Sequence, residues 1–225
     1  NVVLVVMDTA RAVDTVPADA DVTPALASLA DSGTEFTRAY TSAPWTLPSH
    51  ASLFTGLYTA AHGAHGGHTY LDPDHETLPE AFGSAGYETV GVSNNCWLTG
   101  EFGFDRGFDR FRKGWQYVQS EVDTGAVVRA TGIRERLAAL RTQLLAGNPA
   151  VTLANVAYER YLCSDDGGSR TTDWVEGWLA DRRTDTPFFL FCNYIEPHIE
   201  YDPPREYAER FLSPAAVDPD ALLRV

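Results

Sequence analysis

The chain has 225 residues, enough to bury a sizeable core as one domain. Its 31 Asp and Glu against 17 Lys and Arg give a formal charge of -14, and Lys113 is its single lysine. That balance excludes a general binder of nucleic acid or of anionic membranes, whose phosphates it would repel. It suits solubility in a salt-rich cytoplasm, so the expectation is a cytoplasmic protein from a halophile, haloarchaeal in origin, with an ordinary acidic mesophile as the alternative. The cysteines Cys96, Cys163 and Cys192 are odd in number and lack C-x-x-C spacing. They form neither a disulfide framework nor a thiolate zinc site. No apolar run of about 18 residues is present, so no membrane span is expected, and no signal-peptide pattern is seen. The chain opens directly inside an apolar segment, which suggests a trimmed N-terminus.

Val2 to Met7 is apolar throughout and rich in β-branched residues, the pattern of a strand covered on both faces of a parallel sheet. It delivers Asp8, Thr9, Ala10 and Arg11 to the strand end where open α/β sheets bind ligands. Asp8 is thus a candidate metal ligand with Thr9 as helper; an Asp capping a turn is the competing reading. Thr23-Pro24 opens a helix through Ala30, with Leu26 and Leu29 on its buried side and Ser32-Gly33 closing it. A short strand is predicted over 36–40.

The stretch from Thr41 to Gly56 reads as a proline-bracketed loop running into a helix. Thr46 is predicted as its N-cap, with Pro48 in the first turn and Leu47, Ala51 and Phe54 at helical spacing. Such a start aims unpaired N–H groups and the positive dipole end at one spot, where a hydroxyl meets an anion. An ordinary Thr cap is the plainer alternative. His62, His65 and His68 recur at steps of three, but without accompanying carboxylates they read as a loop near a polar site rather than a metal centre.

Glu76 to Ala85 is predicted as a helix ended by Gly86, and Tyr87 to Ser93 as a strand carrying Asn94, Asn95, Cys96 and Trp97 at its end. The doubled Gly-Phe-Asp-Arg over 103–110 reads as an aromatic-anchored loop. Residues 113–168 carry helix signals alone, with Ile133, Leu137, Leu140 and Leu144 on one face, and look like a helical insertion or lid. A helix over Thr171 to Leu179 places Trp174 and Trp178 one turn apart. Pro187 to Tyr194 is a second wholly apolar strand, ending toward His198, a good position for a general acid or ligand. Strands alternating with helices predict an α/β fold with a mostly parallel sheet. Asp8, Asn94/Asn95 and His198 fall at strand ends on which the Thr46 helix start can converge.

Four segments in this order make the chain resemble the sulfatase family of the alkaline-phosphatase-like superfamily. They are the strand ending Asp8-Thr9-Ala10-Arg11, the run Pro44-Trp45-Thr46-Leu47-Pro48-Ser49-His50-Ala51-Ser52-Leu53-Phe54-Thr55-Gly56, the stretch from Gly86 to Asp109, and Pro187 to Pro204 around Glu196-Pro197-His198. The resemblance implies a three-layer α/β/α sandwich over 1–225, incomplete at its C-terminus, and a divalent cation, Ca2+ first with Zn2+ or Mn2+ as alternatives. It implies a small-molecule or carbohydrate sulfate or phosphate ester as substrate. Asp8 matches the family's first metal ligand, and Thr9 stands where a second Asp is usual. Thr46 stands where the family carries the Cys or Ser converted to formylglycine, so it counts both as nucleophile and as metal ligand. His50 replaces an Arg of that signature and, with Asn94 and Asn95, is expected to bind substrate; His198 matches a His that contacts the substrate anion.

Thr cannot become formylglycine, so none is expected and Thr46 must attack directly, activated by the metal. A Thr–sulfate adduct lacks the aldehyde exit of a formylglycine diol, whereas Thr–phosphate intermediates are normal in the wider superfamily. The nucleophile therefore leans toward phosphoesters and the overall sequence toward sulfatases. A phosphodiesterase, phosphonate hydrolase or phosphoglycerol-type transferase on the same fold, and a degenerate non-catalytic binding module, are the rival readings. The family's remaining metal ligands lie on a strand end not found before Val225, so the chain is expected to be the N-terminal part of a longer protein holding half a metal site.

Overall fold

The computed structural model describes residues 1–17, 19, 21–120, 125–130, 132–161, 167–183, 185–198 and 209–210. In chain order the elements are β1 (Val2–Met7), α1 (Ala12–Thr15), α2 (Pro24–Ser32), α3 (Thr46–Thr55), α4 (Thr59–His62), α5 (Leu78–Ser84), β2 (Glu88–Ser93), β3 (Arg110–Lys113), α6 (Gly125–Arg129), α7 (Ile133–Ala146), α8 (Pro149–Tyr161), α9 (Gly168–Asp181) and β4 (Phe188–Tyr194). The strands form one sheet in the order β1-β4-β2-β3, with every pairing parallel.

β4 lies between two neighbours, so its alternate side chains feed two cores. Phe189 and Phe191 point to one face, where they meet Leu47, Ala51 and Phe54 of α3. Phe188, Leu190 and Cys192 point to the other, against Val90, Val92 and Trp178 of α9. This alternation makes the three-layer α/β/α arrangement. Full burial of one such Phe contributes about 1.5–3 kcal/mol. On the α3 side the rings interlock edge to face, Phe54 meeting Phe104, Phe108 and Phe191 at 5.0–6.0 Å between centroids. The doubled motif is thus an aromatic-anchored loop, Phe104 and Phe108 both belonging to this core. Gly91 is required here: a Cβ would stand 2.7 Å from the Phe111 ring.

Several expectations need correction. Among the described residues β1 is an edge strand, paired with β4 alone, and Val3 and Val5 are more than half exposed. An all-apolar run reports absence of charge, not which faces are covered. Leu29 is exposed, so α2 does not bury the stripe that its spacing suggests. Residues 36–40 form no strand, and Phe36 and Tyr40 stand in the open. β3 is an additional strand, masked in the sequence by its basic residues. Within 113–168 the helices are α6 to α8, but Lys113 ends β3 and 114–120 form no helix, and Ile133 and Leu137 are exposed. Cys163 and the chain after His198, apart from 209–210, lie outside the described residues.

Candidate active site

α3 starts one residue earlier than expected. Trp45, extended at φ -150 and ψ 166, is the N-cap and Thr46 the first helical residue. Thr46 therefore does not cap the helix, and its side chain is released for other work. Pro48 occupies the third helical position, where an N–H would have no intrahelical partner in any case. The loop before it is tied by Thr41, whose Oγ1 donates to the Ala43 carbonyl at 2.9 Å and meets Ser49 Oγ at 3.0 Å.

Asp8 is held at the tip of β1 because its N–H donates to the Tyr194 carbonyl at 2.8 Å, continuing the ladder with β4 one step. Its carboxylate is buried and forms the centre of a three-residue network. Thr46 Oγ1 donates to Asp8 Oδ2 at 2.9 Å. Asn95 Nδ2 donates to the same oxygen at 2.7 Å and to Thr46 Oγ1 at 3.2 Å. The Asn95 amide has one orientation only, since its Oδ1 accepts the Trp97 N–H at 2.9 Å. Trp97 in turn packs edge-on against Trp45 with centroids 5.4 Å apart.

His50 lies one turn into α3. Its Nδ1–H donates to the Thr46 carbonyl at 2.8 Å, which leaves Nε2 as the lone-pair nitrogen. That nitrogen is buried and has no hydrogen-bond partner. Burial lowers the His50 pKa, opposed by the bond to the Thr46 carbonyl and by the charge of Asp8. A cavity of about 390 Å³ opens over this network and is lined among others by Asp8, Thr9, Thr46, Ser49, His50 and His198.

The structure thus brings together Asp8, Thr9, Thr46, His50 and His198 around one cavity, with Asn95 bonded to its acid and its hydroxyl. It does not bring Asn94 there. Asn94 Oδ1 accepts from Thr171 Oγ1 of α9 at 2.7 Å, and its amide packs against Gly114 and Gly167. Neighbouring residues at a strand end point to opposite sides, so one Asn of the pair had to turn away. His62 is also structural: Ser52 Oγ meets its Nε2 at 3.0 Å and its Nδ1 accepts the Ala64 N–H at 3.1 Å. Trp45, the missed residue of the site, carries no sequence signal as a cap, because Trp is not a capping type.

The fold and the site define an α/β/α sandwich with a hydroxyl on a helix N-terminus beside a strand-tip carboxylate. The family model described as Sulfatase matches residues 1–218, and the chain belongs to the sulfatase family. An uncharacterized sulfatase of Escherichia coli strain K12, YidJ, is 29% identical over 188 residues, covering 82% of this chain and 35% of its own length. The chain therefore spans about a third of that relative. The phosphonate monoester hydrolase of Agrobacterium radiobacter superposes with a TM-score of 0.59 at 20% identity, over 94% of this chain and 44% of its own. BT4656, solved in complex with its substrate D-glucosamine-2-N,6-O-disulfate, superposes with a TM-score of 0.58 at 16% identity, over 90% and 35%. These two likenesses establish the fold.

The sulfatase family generally uses a divalent metal. Asp8 Oδ2 and Thr46 Oγ1 are adjacent hard oxygens of the kind such a cation takes. Among the described residues no group of three or more His, Cys, Asp or Glu gathers. Asp8 and Thr46 therefore fit as a share of a ligand shell, while Asn95 turns N–H donors toward them and supports the pair. No helix among the described residues is long and apolar enough to cross a membrane.

Proposed function

We propose that this chain forms the nucleophile-bearing part of a hydrolase of sulfate or phosphate esters, with Thr46 as nucleophile. The observation that carries the reading is the Thr46–Asp8–Asn95 network at the first turn of α3. A divalent cation held in part by Asp8 and Thr46 would polarise the ester and lower the hydroxyl pKa. Thr46 Oγ1 gives up its proton to solvent and attacks the sulfur or phosphorus. The bond to the alcohol oxygen breaks, and His198 at the cavity wall supplies the proton that the alcohol carries away. Asn95 Nδ2 holds the attacking oxygen in line, and the N–H groups of the first turn of α3 face the developing charge. Water then attacks the covalent Thr46 ester and regenerates the hydroxyl.

A threonine ester of phosphate is released by such attack at phosphorus, which favours phospho- and phosphonoesters over sulfates as the turned-over class. Small-molecule or carbohydrate esters fit a cavity of about 390 Å³. A second reading, a sulfatase-like module that binds esters without turning them over, is favoured by the small carboxylate count at the cavity among the described residues. The two are separated by turnover of aryl phosphate, aryl sulfate and a phosphodiester with Ca2+, Mn2+ or Zn2+ added, in wild type and Thr46→Ala. Turnover that survives Thr46→Ala overturns the nucleophile, and ester binding without turnover under every metal supports the module.

A further inference from the structure

The loop that carries His198 to the cavity is tied down from the far face of the sheet. β4 ends at Tyr194, whose carbonyl accepts the Asp8 N–H, and His198 further along lines the cavity. Between them the chain turns on itself, the His198 N–H donating to the Ile195 carbonyl at 2.7 Å. A loop past the end of its strand has no ladder to hold it, so its aim depends on what its side chains grip. Here Glu196 grips α9. Its Oε1 accepts at 2.9 Å the N–H of Gly168, the first residue of that helix. One turn along the same helix, Thr172 Oγ1 meets the Tyr194 hydroxyl at 3.0 Å.

The contact is what a helix start asks for. The first N–H groups of a helix have no partner within it, and the positive dipole end favours a carboxylate. Gly167 caps α9 at φ 97, left-handed backbone that suits glycine, and the glycine after it lets the carboxylate close in. A Cβ on Gly168 would stand 2.7 Å from Glu196 Oε1. The same turn also holds the end of β2, where Thr171 Oγ1 donates to Asn94 Oδ1 at 2.7 Å. One loop thus sends Glu196 back to α9 and His198 forward to the cavity.

We propose that Glu196 is a positioning residue for His198, fixing where that ring stands in the cavity through its hydrogen bond to Gly168. This rests on the reading of His198 as the group that protonates the departing alcohol. Displacing a reacting group by about 1 Å costs up to about 10²-fold in rate. For a proton donor the loss falls on alcohols that need the proton and spares those that leave as anions.

The test compares two esters in the whole protein with Ca2+ or Mn2+ added. Phenyl phosphate has a poor leaving group, and dinitrophenyl phosphate one that departs without a proton. Glu196→Ala is expected to slow kcat on phenyl phosphate by about 10–100-fold and to change dinitrophenyl phosphate by less than about threefold. Glu196→Gln keeps an acceptor for the Gly168 N–H and should restore most of the phenyl phosphate rate. Gly168→Ala leaves Glu196 in the chain but drives its carboxylate off the helix start, so it should reproduce the selective loss even if Glu196→Ala fails to fold. Thr171→Val cuts the neighbouring tether to Asn94 and should leave the ratio of the two rates unchanged. Equal slowing of both esters in Glu196→Ala overturns the proposal, as does a Thr171→Val that shifts the ratio as far. The NMR resonance of the His198 ring, assigned with His198→Ala, reads the same displacement without turnover. It is expected to move in Glu196→Ala and to stay in place in Glu196→Gln. A resonance that moves while turnover survives Thr46→Ala keeps the positioning role and removes the nucleophile; one fixed in Glu196→Ala removes the positioning role alone.

Discussion

The two ends of α3 are built from similar residues to opposite effect. At its start, Thr46 is bonded to an acid and an amide from two other elements, and His50 beside it keeps a buried nitrogen without a partner. At its finish, Ser52 meets His62, Gly56 closes the helix in the left-handed region, and Phe54 is locked among three rings. Both histidines are buried and both have lowered pKa values, His62 through burial and then the charge of His75. What separates them is satisfaction. A buried polar group with all partners present holds structure, and one left open beside a cavity is available to a ligand.

The comparison breaks most decisively at Thr46. Thr46→Ala is expected to lower turnover by about 10⁴-fold or more while leaving the melting temperature nearly unchanged, since nucleophile removal acts on the reaction and not the core. Phe54→Ala should do the reverse, costing about 3–5 kcal/mol in chemical denaturation through the cavity left among Phe104, Phe108 and Phe191. His62→Ala should cost about 1–3 kcal/mol, because Ser52 Oγ and the Ala64 N–H lose their partner in a buried setting. A melting curve unchanged in His62→Ala would erase the distinction between the two histidines.

A pH series sharpens it further. The folded pKa values of His50 and His62 lie below the ordinary 6.5 of the unfolded chain, so the unfolded state binds more protons near and below that pH. Stability is therefore expected to be full above about pH 6.5 and to fall as pH drops through it toward the folded values. His50→Gln and His62→Gln should each flatten that fall, measured by thermal melts from neutral to mildly acid buffer. The smallest expected effect is Gly56→Ala: at φ 69 a Cβ is strained although nothing crowds it, and the loss should be about 1 kcal/mol by denaturant melt.

The sheet and the key helix are legible in the sequence because their signals are local. β4 and β2 announce themselves by apolar β-branched and aromatic runs, and α3 by Pro48 and the spacing of Leu47, Ala51 and Phe54. Asp8 and Thr46 can be paired from residue order alone, because strand ends and helix starts converge in α/β sheets. What stays hidden depends on direction and neighbourhood. Asn94 and Asn95 are identical in type and adjacent, and only the pleat sends Asn95 to Asp8 and Asn94 to Thr171. Leu4 and Val6 of β1 pack on the α3-side core while Val3 and Val5, on the other face, join no core cluster among the described residues, a difference an apolar run cannot encode. Trp45 caps α3 through backbone geometry, and the tilt of its ring against Trp97 is a tertiary matter.

Thr9 gives the cavity rim one more property. Its φ of 59 puts a β-branched residue in left-handed backbone, where Asp and Asn are at ease and Thr is not. The turn has a backbone shape that suits Asp or Asn better than the Thr it carries. Thr9→Asp would relax the strand tip and set a second acid beside Asp8 in a single step, so the rim sits one substitution away from a more strongly chelating site, with the backbone already in the required pose.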